Sequence, residues 1–246
     1  MAAATYETTV VMGDGAAIHT TVTSSYADVH RFLMEFGAYN NLIVGLDAEW
    51  RPNFQPGGGE NQIAVLQLCI GHRCLVYQII HDVGISSTLK SFLAHPGHTF
   101  VGVGVSKDAQ KLLHEYGLRV ANPVDPRYAA AHWLSRPDLL QAGLKSLALA
   151  VMGANIDKPQ SVTLSAWDAH VLTAAQVTYA TMDAYVSYEI GRRLLSNNYH
   201  GCLGDNDVSA RHRDMGILFV TNGMLGWNGG GRLGKLFKPL ADKLEE

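Results

Sequence analysis

The sequence contains no apolar run near the roughly 18 residues that a membrane-spanning helix requires. Its first residues, Met1-Ala-Ala-Ala-Thr-Tyr-Glu7, carry neither the basic start nor the apolar core of a secretory signal. Both absences lead to the expectation of a cytoplasmic or nuclear protein with no membrane partner. Cysteine is scarce. Three residues, an odd count, argue against a disulfide framework. Cys69 and Cys74 flank Gly71-His72 symmetrically and could face each other across a hairpin. In a reducing compartment they are expected as two reduced apolar residues. No Cys-x-x-Cys pair or Cys/His cluster has zinc spacing, and the eleven histidines are scattered, most of them expected on the surface or in loops. A strong excess of one charge is also missing. The net charge of −3 does not describe a generic nucleic-acid clamp. It leaves nucleic acid open, because a carboxylate site lowers the total charge while its metals reverse the local one.

Two glycine motifs are incomplete. Gly102-Val-Gly104 precedes a helical stretch but lacks the third glycine of a dinucleotide fingerprint. Gly229-Gly-Gly-Arg-Leu-Gly-Lys235 starts like a phosphate-binding loop, yet Leu236 stands where Ser or Thr must reach Mg²⁺. There is no internal repeat.

What is present suffices for one sizeable domain with extensions: 246 residues, 47% hydrophobic and 17% charged. Tyr6–Val11 and Ala17–Thr23 read as an N-terminal hairpin around Gly13-Asp-Gly15. Ser25 would cap an amphipathic helix through Val29, Phe32, Leu33 and Phe36. Leu42–Leu46 is a buried strand. Arg51–Gly59 is a Pro/Gly-rich loop, and 63–70 with 73–78 form a hairpin whose first loop residue, Gly71, suits a type II′ turn. A short helix over 87–94 and a short strand over 99–102 come next. Ser106 would cap a helix over 107–116, helices follow near 126–134 and 143–152, and 153–161 is a loop. Thr173-Ala-Ala-Gln176 is a capping box opening a long helix to Leu195. Antiparallel strands followed by alternating helix and strand predict an α/β fold with a mixed sheet flanked by helices. The expected division is residues 1–41 as a hairpin-and-helix extension, 42–195 as the main domain and 196–246 as a tail. In that tail only an apolar patch with Ile217–Val220 and a basic Gly-rich end stand out.

Asp47 and Glu49, i and i+2 at a strand end, point to one face a few ångströms apart. Their repulsion is costly unless a cation lies between them. Asp108 falls in the first turn of a helix, where acids are ordinarily partners of the helix dipole. Tyr179 and Asp183 are i, i+4 and share a helical face. Four carboxylates and a tyrosine from three segments are what a site for two hard divalent cations needs.

In order and spacing these residues resemble the DEDD superfamily of 3′→5′ exonucleases, in the subclass whose third motif is Tyr-x-x-x-Asp. This group includes ribonuclease D, the Werner-syndrome exonuclease domain and small plant Werner-like exonucleases. Asp47-Ala-Glu49 matches the first motif, Val101–Asp108 the second and Tyr179-Ala-Thr-Met-Asp183 the third. Leu46–Pro52, Ala64–Leu68 and Trp167 agree around them, and the likeness runs from about Leu42 to Leu195. The resemblance implies a ribonuclease H-like (DnaQ-like exonuclease) fold. It also implies two Mg²⁺ or Mn²⁺ ions and release of nucleoside 5′-monophosphates from the 3′ end of single-stranded RNA or DNA, with RNA expected ahead of DNA. Asp47 would bridge the metals, Glu49 and Asp183 would complete one metal's ligands, Asp108 would hold the other, and Tyr179 would orient the attacking water. Such relatives can form homo-oligomers. Arg51, Lys107 and Lys111 lie near the motifs and read either as phosphate contacts or as solvated charge; Trp50 reads either as a platform near the terminal base or as a core residue. The competing function is a catalytically silent nucleic-acid-binding or scaffold module on the same fold, and a calcium-binding structural site is a further alternative.

Overall fold

A computed structural model describes residues 5–55 and 57–195. The 196–246 tail, with its apolar Ile217–Val220 patch, lies outside the described residues. Among the described residues seven strands form one mixed sheet: β1 (Tyr6–Val11), β2 (Ala17–Thr23), β3 (Ile43–Glu49), β4 (Val65–Ile70), β5 (Arg73–Tyr77), β6 (Thr99–Val101) and β7 (Pro123–Val124). Their order is β1-β2-β5-β4-β3-β6-β7. β3, β4 and β5 are antiparallel neighbours, while β2 on β5, β6 on β3 and β7 on β6 are parallel. The N-terminal hairpin therefore continues the same sheet.

The helices are α1 (Tyr26–Met34), α2 (Ser87–Leu93), α3 (Val105–Tyr116), α4 (Pro126–Trp133), α5 (Leu144–Leu147), α6 (Gln160–Thr163) and α7 (Ala174–Leu195). Alternation along β3 sorts them into two layers. Val44, Leu46 and Ala48 point to one face and join α1, α2 and α3 through Val29, Phe32, Leu93 and Leu112. Ile43 points to the other face, where Leu144, Leu147, Ala184 and Tyr188 complete a second core. Gly45 is on that face too, and α7 passes directly over it. No described helix is long and apolar enough to cross a membrane.

The capping box forms as expected: the Gln176 backbone N–H donates to Thr173 Oγ1 and the Thr173 backbone N–H to Gln176 Oε1. Gly71 alone in its hairpin loop has positive φ, at 59°, as a type II′ turn requires. Four expectations need correction. Ser106 is not the cap of α3; the helix starts two residues earlier, after Gly104 at φ 77°, whose N–H donates to Asp125 Oδ2 at 2.9 Å. A left-handed residue is available to glycine at little cost, so the turn from β6 into α3 is tighter than a serine cap allows. The 143–152 helix is a short α5 followed by a π turn over Ala148–Met152. The 153–161 loop ends in the single turn α6. Finally, Cys69 and Cys74 are joined as a disulfide rather than reduced. The two-residue loop makes them direct partners in the β4–β5 register, with their Cα atoms 4.2 Å apart.

Candidate active site

β3 runs beyond the end of β6, which pairs with it only over Ile43–Gly45. Asp47 and Glu49 are on this overhang, pointing to the α7 side. Where β6 ends, Gly102 and Gly104 turn the chain into α3. A Cβ on Gly102 would lie 2.4 Å from the Leu46 carbonyl oxygen, so the backbones close up there and bring Asp108 to the same end of the sheet. α7 contributes Asp183 opposite Asp47, with Tyr179 one turn earlier. One carboxylate oxygen each from Asp47, Glu49 and Asp183 can be chosen so that all lie within 4.8 Å of one another. The structure thus brings the five motif residues of the sequence together from β3, α3 and α7. Asp183 and Asp108 are buried, Asp47 and Glu49 half-buried.

Packing acids this tightly raises their proton affinity. Burial and the neighbouring Asp47, Asp183 and Asp108 push Glu49 up to about 9, despite the opposing charge of Lys158. Burial and Asp47 push Asp108 up to about 8, and burial and Asp47 raise Asp183 to about 7. Asp47 is raised by burial too, with Lys158 and the Ala48 N–H pulling the other way. Asp183 Oδ1 is buried with no hydrogen-bond partner, as is Oε1 of Gln67, which is directly opposite Asp47 in the β3–β4 register. Raised carboxylates, a partnerless buried acceptor and an all-oxygen donor set fit a hard divalent cation.

Metal-free stability should therefore fall as pH rises. With Glu49 near 9 and Asp108 near 8, the folded protein holds more protons than the unfolded chain above the ordinary carboxylate range, and stability drops until those protons are lost. His98, buried and lowered to about 4, works the other way: the unfolded chain binds its proton more readily, so its contribution rises with pH. The decline between pH 6.5 and 9 then belongs to the cluster. The expected result is a melting temperature in EDTA that falls across that window and a flatter profile with Mg²⁺ or Mn²⁺. A level profile in EDTA would remove the electrostatic reading of the site.

The segment from 158 to 167, which overlaps the end of the expected 153–161 loop and includes Trp167, supports the site. Lys158 Nζ donates to Asp183 Oδ2 at 2.6 Å and stands 4.8 Å from the centre of the Tyr179 ring. Thr163 Oγ1 donates to the Tyr179 hydroxyl at 3.1 Å, and Trp167 is completely buried with its ring 5.8 Å from that of Tyr179. Gln176 Nε2 ties the segment to the start of α7 through Ser165 Oγ. Burial and the Asp183 charge hold Tyr179 up at about 12, outweighing Thr163 and Lys158. The signal in the sequence was Trp167 alone; Lys158 and Thr163 have no spacing that marks them.

Trp50 is half-buried against the α1–α3 core, so it is at least in part a packing residue. Lys107 and Lys111 lie 5.3 and 5.1 Å from its ring centre. Each cation already has an anionic neighbour: Lys107 pairs with Glu60 at 2.6 Å, Lys111 with Glu115, and Arg51 with Asp168 at 2.6 Å.

A family model described as 3′-5′ exonuclease matches residues 21–197, close to three quarters of the sequence. The chain belongs to the 3′-5′ exonuclease family. The chain is 32% identical to an Arabidopsis thaliana 3′-5′ exonuclease over 153 residues, 62% of this chain and 52% of that protein. It is 38% identical over 181 residues to human exonuclease 3′-5′ domain-containing protein 2, covering 69% of this chain and 28% of the relative. The match thus spans about half, or less, of these relatives. Among solved structures, Escherichia coli RNase D superposes with a TM-score of 0.59 at 21% identity, over 71% of this chain and 44% of that one. That likeness confirms the ribonuclease H-like fold.

Proposed function

We propose that the chain is a metal-dependent 3′→5′ exonuclease that shortens single-stranded nucleic acid one nucleotide at a time, releasing nucleoside 5′-monophosphates. The observation that carries this reading is the convergence of Asp47, Glu49 and Asp183, with Asp108 electrostatically coupled to Asp47 and Glu49, in a chain of this family. Asp47, Glu49 and Asp183 would hold one Mg²⁺ or Mn²⁺ ion, and Asp47 with Asp108 a second. When bound, the ions supply positive charge to the attacking and leaving oxygens of an in-line displacement.

The protein's own groups do the positioning. Tyr179, held up near 12, keeps its proton at neutral pH. Its hydroxyl, one turn before Asp183, is placed to hydrogen-bond the attacking water and orient it. Thr163 and Trp167 fix the ring and hydroxyl so that this orientation is set before substrate arrives. Trp50 with its two lysines and Arg51 form the proposed contact for the last nucleotides, offering an aromatic face and cations that exchange their carboxylate partners for phosphates. RNA is put ahead of DNA on the family resemblance alone, since one fold serves both.

The test is a timed digestion of matched single-stranded RNA and DNA, linear and circular, with Mg²⁺ or Mn²⁺. Linear strands should shorten in single-nucleotide steps from the 3′ side, RNA faster, and circles should survive. Cuts inside a circle would make the enzyme an endonuclease. No mononucleotide from any strand would leave the catalytically silent module as the better reading.

A further inference from the structure

We propose that Lys158 is an internal counter-ion of the carboxylate cluster, holding Asp183 in competition with the divalent cation and yielding it when the cation binds. This rests on the metal-site reading above. The Lys158 ammonium donates to Asp183 Oδ2 at 2.6 Å, while the Asp183 side chain is fully buried and that of Lys158 is 27% exposed. The pair therefore joins a fixed carboxylate to a cation with a route to solvent.

Asp183 itself is locked in place. It sits mid-way along α7, where Ala184 presses against the backbone of β3. Lys158 belongs to no helix or strand; it precedes Pro159 at the entry to α6. A change of side-chain torsion is enough to withdraw its ammonium. Arg192 and Arg193, also on α7, instead pair with Glu189 within their own helix.

Mg²⁺ or Mn²⁺ sits roughly 2.0–2.1 Å from a carboxylate ligand. With the ammonium on Oδ2 at 2.6 Å and Oδ1 left for the metal, two cations would share one carboxyl group in a partly desolvated site and repel. Binding of one must weaken binding of the other, and the coupling is reciprocal. Lys158 thus serves two states. Before metal arrives it offsets the mutual repulsion of Asp47, Glu49 and Asp183, and afterwards it is released beside the site with its charge intact. It is a positioning residue, acting through Asp183.

The experiment uses the full chain with Lys158→Met, which keeps the stem, and Lys158→Arg, which keeps the charge. Mn²⁺ is titrated calorimetrically without substrate, and melting is followed in EDTA. Lys158→Met should bind Mn²⁺ roughly tenfold more tightly, a coupling of ordinary size. It should also melt at a lower temperature in EDTA and gain more on adding Mn²⁺. Lys158→Arg should stay close to wild type in both. Unchanged or weaker Mn²⁺ binding by Lys158→Met overturns the counter-ion role. Failure of the wild-type protein to bind Mn²⁺ at all overturns the metal site itself, and the counter-ion role with it.

Discussion

Asp47→Asn should stop mononucleotide release while the protein stays folded, with a metal-free melting temperature level with wild type or above it. The two effects have one cause. Asp47 raises the proton affinity of Glu49, Asp108 and Asp183 alike, which makes it the centre of the cluster's repulsion. Asparagine keeps the shape and removes the charge, so the metal-free protein loses a destabilising term. The same charge is what draws cations to the site, and a bound metal supplies several kcal/mol of transition-state stabilisation. By the rate equivalence of free energy, the expected loss is about a thousandfold or more. Asp183→Asn should be as inactive but should not share the rise in melting temperature, because it leaves the Lys158 ammonium facing an amide. The two variants are compared by single-turnover cleavage with Mg²⁺ and by melting in EDTA. Wild-type cleavage by Asp47→Asn would remove the cluster from the chemistry.

That contrast shows what the sequence made readable. Period-two and i, i+4 spacing put Asp47 beside Glu49 and Tyr179 beside Asp183, and motif order joined them to Asp108. Local chemistry was enough for the α7 capping box and the Gly71 turn. Contacts between distant segments were not legible, because no periodicity encodes them. Lys158 reaches Asp183 across 25 positions, and Thr163 reaches Tyr179 across 16, from a stretch whose Gly and Pro content reads as loop. The surface cations had the opposite problem. Lys107 and Lys111 gather on Trp50, but Asp168, Glu60 and Glu115 were not recognisable in advance as partners of Arg51, Lys107 and Lys111. The disulfide was missed because an odd cysteine count and a presumed reducing compartment argued against it, although the hairpin geometry that joins Cys69 to Cys74 was recognised.

Gly45→Ala should be the most destabilising small substitution in the sheet, costing about 3 kcal/mol or more, and should lower activity beyond what unfolding explains. Within Leu42-Ile-Val-Gly-Leu46 the glycine looks like an ordinary member of a buried strand, and its φ is not positive, so conformational freedom is not why it is there. The reason is contact. A Cβ at this position would lie 1.9 Å from the Ala184 carbonyl oxygen, 2.7 Å from the Tyr188 nitrogen and 2.9 Å from the Tyr188 Cβ. Two of these atoms are helix backbone, which cannot rotate aside as a side chain can. Either α7 or β3 must move. Gly45 is two residues before Asp47 on the same face, and Ala184 follows Asp183, so the contact that a methyl would pry open is the one that sets the Asp47–Asp183 separation. Gly191→Ala is the graded comparison: its nearest obstacle is a Val101 methyl at 2.7 Å, a side-chain atom on which strain can relax. Gly84→Ala, with nothing within 4 Å, is the neutral control. Urea midpoints should rank Gly45→Ala below Gly191→Ala below Gly84→Ala. Mn²⁺ affinity of the folded Gly45→Ala protein, measured in the cold, should fall as well. A midpoint for Gly45→Ala equal to that of Gly84→Ala would mean that α7 yields freely over β3, and that the spacing of the two aspartates is set by something other than this glycine.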